Sequence, residues 1–66
     1  MKTIGSGTYE LRIKEYGNEY RIFYVAKFGD SIYVLHAFKK TSRKTPERHL
    51  NTGRRRYKIA KEHAGE

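Results

Sequence analysis

Nine basic side chains, Lys39, Lys40, Arg43, Lys44, Arg48, Arg54, Arg55, Arg56 and Lys58, crowd one segment of this 66-residue chain, beside a single acid, Glu47. Elsewhere basic and acidic residues balance, so the whole formal charge of +8 resides between positions 39 and 58. A localised excess of that size is an electrostatic footprint for a polyanion, most simply nucleic acid. Arg43, Lys44, Arg48, Arg54, Arg55 and Arg56 are the expected backbone-contacting charges, giving affinity without sequence readout. Arg21 stands outside that run. Its planar fork suits a phosphate group bidentately, and it suits the carboxylate of Glu10 or Glu19 equally well. His36 is the histidine inside an apolar stretch, and an imidazole titrates near neutrality, as a general acid or base must. Strict alternation also places His36 with Val34 and Phe38, where it reads as a core histidine. His49 and His63 read as solvated. Positions 36, 49 and 63 lack metal-ligand spacing, so neither a metal nor another cofactor is expected.

These residues need a scaffold, and hydrophobic periodicity supplies one. Tyr9-Glu10-Leu11-Arg12-Ile13-Lys14 alternates at period two, as a half-buried strand does. Tyr16-Gly17-Asn18 and Phe28-Gly29-Asp30-Ser31 carry turn chemistry around a second strand, Tyr20 to Lys27, and before a third, Ile32 to Lys39. Two short connections in succession predict a three-stranded antiparallel meander. Thr45 fits a helix N-cap, Pro46 the first helical position and Glu47 a first-turn acid. Leu50, Gly53, Tyr57 and Ala60 then form one narrow stripe facing the sheet. Gly53 in mid-helix costs about 1 kcal/mol against Ala, and close packing on the sheet would explain it. The expected organisation is a single α+β domain over 1–66, with a flexible lead-in at 1–7, antiparallel sheet at 8–39 and a C-terminal helix at 45–62.

By alternation, Ile22, Tyr24 and Ala26 lie on one face of the second strand and Phe23 and Val25 on the other. The third strand likewise splits into Ile32, Val34 and Phe38 against Tyr33, Leu35 and Ala37. Strands apolar on both sides are normally covered on both sides, and one helix covers only one. A partner chain, a second copy of this chain or a further N-terminal portion is expected on the other face.

A chain this short buries only roughly 60% of its unfolded surface. With no cysteine, neither disulfides nor a thiolate zinc site supplements the core, and a reducing compartment is compatible. The apolar runs fall far short of the ~20 residues of a membrane span. The N-terminus lacks a signal-peptide layout. A cytoplasmic protein without membrane association is the expectation.

Tyr9-Glu10-Leu11-Arg12, Tyr20-Arg21-Ile22-Phe23-Tyr24, and Val34-Leu35-His36-Ala37-Phe38-Lys39-Lys40-Thr41 before Lys44-Thr45-Pro46 together resemble the RelE/ParE toxin superfamily. Within it they look most like the HigB-like, phage-derived branch. The resemblance runs from residue 4 to about residue 62. It implies a RelE-like core without the N-terminal helical hairpin that family members place before their strands. His49 and Gly53 also depart from the family, standing where it usually has an acid and an alanine. It further implies a toxin that cuts mRNA on the ribosome as an endoribonuclease, neutralised by a cognate antitoxin. A non-catalytic remnant that binds RNA or its antitoxin, or a toxin directed at DNA gyrase, are the alternatives. Cleavage by a 2′-hydroxyl needs cations on the phosphate, a base for the hydroxyl and an acid for the leaving oxygen. By resemblance Arg21 is the phosphate clamp, and Lys39 and Lys40 belong to the active-site rim. Because these two lysines must point to opposite faces, one of them is catalytic. With His36 they complete the expected catalytic set.

Overall fold

In the computed structural model, residues 1–65 are described, apart from the side chain of Lys27. Strand β1 (Thr8–Glu15), strand β2 (Asn18–Phe28) and strand β3 (Ser31–Lys40) form one antiparallel sheet in the order β1-β2-β3, followed by helix α1 (Glu47–Ala64). This is the expected α+β meander with a C-terminal helix. The first hairpin closes on Tyr16 and Gly17, both at positive φ (48° and 79°), the backbone of a type I′ turn that matches strand twist. Tyr16 has nothing to pack against there and is 94% exposed.

Helix α1 packs on β2 and β3 and leaves β1 uncovered. Its stripe meets the sheet as the periodicity required: Gly53 and Ala60 are buried, and Leu50 and Tyr57 pack against the core of Ile4, Phe23, Val25 and Leu35. The N-terminal lead-in lies against the helix. Ile4 is buried, Arg54 Nε donates to the Thr3 carbonyl at 2.8 Å and Tyr57 Oη to that of Ser6 at 2.8 Å. The terminal amine also bonds the Thr8 carbonyl. Period-two reasoning missed Ile4 because an isolated apolar residue between Thr3 and Gly5 shows no pattern.

The helix start also differs from expectation. Pro46 occupies the N-cap position at φ −59° and ψ 142°, Thr45 lies before it, and no side chain caps the helix. The extended ψ of Pro46 delays helical geometry by one residue, and His49 N–H bonds the Pro46 carbonyl at 3.0 Å.

A larger correction comes from β3. Phe23 pairs with His36 but Tyr24 pairs with Val34, leaving Leu35 as an extra residue in a β-bulge. The bulge breaks strict alternation. Leu35 is buried against the helix side, and the neighbouring His36 meets the helix too, while Val34 turns to the opposite face and is 67% exposed. His36 therefore does not share a face with Val34, and it lies half-buried at the helix–sheet seam instead of in a core.

On the face away from α1 the sheet is open. Tyr9, Leu11 and Ile13 from β1, Tyr20 from β2, and Ile32 and Val34 from β3 are all exposed there. Tyr9 and Tyr24 stack across the strands with centroids 5.6 Å apart. The expectation of one uncovered apolar face holds.

Candidate functional site

Because α1 spans only two strands, the helix-facing side of β1 and the adjoining end of β2 are left to polar residues. Glu10, Arg12 and Lys14 face Phe23, Arg21 and Glu19 across the β1–β2 ladder. Arg21, 7% exposed, occupies the centre. Its Nη1 donates to Glu10 Oε2 at 2.7 Å, and its Nε and Nη2 donate to Glu19 Oε2 at 3.1 and 2.7 Å. Arg12 approaches the other oxygen of Glu10 at 3.4 Å, and Lys14 that of Glu19 at 4.0 Å. Hydrogen bonding from Arg21 holds the Glu19 carboxyl below its ordinary range against the opposing effect of burial, and the charges of Arg21, Lys40 and Lys14 add to it. For Arg21, burial acts to lower the guanidinium pKa, but the bonds to Glu10 and Glu19 carry it upward overall. Of the two partners that sequence offered Arg21, it holds both, so its fork is occupied by carboxylates.

Lys39 and Lys40 leave β3 on opposite sides, as alternation required. Lys39 pairs with Tyr20 and shares the open face. Lys40 pairs with Glu19 and lies on the side of Arg21. Only Lys40 shares a surface with Arg21 and His36.

A second cluster forms where the first turns of α1 cross the bulge. His36 Nε2 and His49 Nδ1 are 2.8 Å apart. The His49 ring lies flat on Phe38, with centroids 4.0 Å apart and planes within 9°. Phe38 in turn stacks on His36 at 5.2 Å. Arg56 donates to the Leu35 carbonyl at 3.0 Å and lies 3.4 Å from His36 Nδ1. Burial lowers the pKa of His36, and the charges of His49 and Arg56 lower it further. Burial followed by the charge of Arg48 does the same for His49. Both imidazoles are thus biased toward the neutral form, in which one can donate and the other accept.

His49 is the residue that sequence reasoning passed over as solvated. A usable signal was present, because His49 and Arg56 stand seven apart and so share one face of a helix. The bulge that brings His36 to that face carried no such signal. Among the described residues, no group of three or more metal-ligating side chains converges.

The six expected phosphate-contacting residues divide in two. Arg54 is bound by Glu47, Asn51 and the Thr3 carbonyl, and Arg56 by β3. Arg43, Lys44, Arg48 and Arg55 are exposed and, among the described residues, their side chains make no hydrogen bond or ion pair. Charge available to a polyanion therefore lies between His36 and Arg56 along the chain, on both sides of His49. A sequence profile of phage-derived Gp49-like proteins (DUF891) matches residues 1–58. The chain belongs to this family. The Gp49-like family is RelE-like and associated with toxin–antitoxin systems. Its match covers the whole sheet and α1 through Lys58, and so takes in Arg21, His36, His49 and Arg56. No curated protein and no solved structure gives a match to this Gp49-like chain. No helix among its described residues is long and apolar enough to cross a membrane.

Proposed function

We propose that this Gp49-like protein is the toxin of a toxin–antitoxin pair and cuts mRNA on the ribosome, with a cognate antitoxin protein as its neutralising partner. What carries the reading, beyond family membership, is the meeting of His36 and His49, with exposed cations on both sides of His49 in the chain. Attack of a ribose 2′-hydroxyl on the adjacent phosphorus forms a new P–O bond and releases the 5′-oxygen. A general base accepts the hydroxyl proton, and the His36–His49 pair, when it carries an added proton, delivers one to the departing oxygen. Lys40 and the free arginines offset the charge that builds on the phosphate. Arg21 acts as a clamp only if substrate displaces Glu10 or Glu19. HigB-like behaviour follows from the same resemblance.

One observation favours a second reading. A fork already filled by two carboxylates is what a structural arginine shows, as in a non-catalytic remnant that still binds RNA or its antitoxin. Inducible expression in a bacterium separates the two. Growth arrest with codon-phased mRNA cuts by primer extension is expected, and His36→Gln should reduce the cuts roughly 100-fold or more. Arg21→Ala should reduce them too, with the folded state checked by circular dichroism. A folded, abundant protein that causes neither arrest nor cuts overturns the catalytic reading in favour of the remnant.

A further inference from the structure

The histidine cluster has a direction built into it. The Arg56 guanidinium has donors and no acceptor, so where it faces His36 Nδ1 that nitrogen must offer a lone pair. A neutral His36 then carries its proton on Nε2, the atom 2.8 Å from His49 Nδ1. His49 Nδ1 must accept, which leaves the His49 proton on Nε2. The chain Arg56, His36, His49 therefore runs donor to acceptor at each link and ends on an N–H. That last atom has no partner among the described residues and is not among the side-chain atoms buried without one, so it meets solvent. A terminal N–H has no lone pair to give a metal ion. It can only donate, and a cation at the far end of the chain polarises it to donate more strongly.

The surroundings favour the same ligand sign. Arg48 is next to His49 in sequence, and its charge reaches the ring. Among the described residues, no carboxylate hydrogen-bonds or ion-pairs with Arg48, Arg56, His36 or His49. Glu10 and Glu19 are committed to Arg21, and Glu47 to Arg54. We infer that the Arg56–His36–His49 chain is an oxyanion-binding device, presenting His49 Nε2–H beside Arg48 to a phosphate oxygen. Phe38, lying flat under His49, fixes the ring so that the donor needs little reordering on binding. The inference places a phosphate group at a named atom and does not require that the protein cut RNA. Failure of cleavage in cells would therefore leave it standing.

Long-range proton–nitrogen NMR on the full chain, labelled at histidine, reads the tautomers directly. At neutral pH both His36 and His49 should be neutral with the proton on Nε2. Inorganic phosphate and a short oligoribonucleotide are then titrated separately at constant ionic strength, with chloride as the control. Phosphate in either form should move the His49 Nε2 signal and raise the His49 pKa, because a bound anion favours the imidazolium. His49→Gln should weaken phosphate binding roughly tenfold, as should His36→Ala, and Lys61→Ala, in the last turn of α1, should leave the His49 response intact. A response to the oligoribonucleotide alone assigns the phosphate to nucleic acid, and a response to both assigns a general phosphate site. A proton on His49 Nδ1, or a chloride response equal to that of phosphate, overturns the inference.

Discussion

Arg21 and His36 were both singled out by residue type, and both turned out to be governed by partners. Each cluster makes stability depend on pH in a direction that can be worked out. Glu19 titrates below its ordinary value in the folded protein, so its contribution is complete above that value and is lost as pH falls through the folded pKa. His36 and His49 are also held below their ordinary value, and for them the unfolded chain binds protons first. Their contribution is complete above the ordinary histidine pKa and is lost as pH falls below it. Urea denaturation across pH should show two successive losses on acidification, one starting below the ordinary histidine pKa and one below the ordinary carboxylate range. The double variant His36→Gln/His49→Gln should lack the upper loss and retain the lower. A single loss, confined to the carboxylate range in the parent protein, would refute the assignment.

At the scale of elements, Gly53 shows how closely α1 approaches what lies beneath it. A methyl group there would come within 2.7 Å of Ile4 Cδ1 and 3.2 Å of Phe23 Cδ2. Ile4 is itself a buried core residue, so its terminus must shift against its neighbours, and Phe23 is fully buried. Gly53→Ala should therefore fall near neutrality, with the helix-propensity gain of about 1 kcal/mol offset by the contacts with Ile4 and Phe23. Gly53→Val should lose about 1–3 kcal/mol by overpacking. In an Ile4→Ala background Gly53→Ala should become stabilising, a coupling that thermal denaturation of the four proteins measures directly. A purely local helix effect would give the same change in both backgrounds. The stripe containing Gly53 was legible from its spacing. Ile4, which makes the glycine necessary, was not, because its contact is set by chain return and not by local pattern.

Over the whole molecule, one sheet face carries the helix and the other carries exposed tyrosines and aliphatic side chains. Contiguous exposed apolar surface on a small domain marks an interaction site. Light scattering of the isolated chain should show concentration-dependent association. Val34→Lys, on the open face, should reduce that association and change stability by no more than about 0.5 kcal/mol. Phe23→Ala, on the covered face, should cost about 3–5 kcal/mol. If Val34→Lys unfolds the chain, the face is not free in the monomer. Sequence alone determined the meander, the helix, the charge concentrated between 39 and 58 and the apolar character of both sheet faces, because periodicity and turn chemistry act over a few residues. Only the tertiary structure decided which lysine shares a face with Arg21, that Arg21 is held by two carboxylates, and that His49 meets His36. Those outcomes depend on a one-residue bulge and on where the helix lands. A bulge inverts every face beyond it, and a helix landing is fixed by packing among residues far apart in the chain.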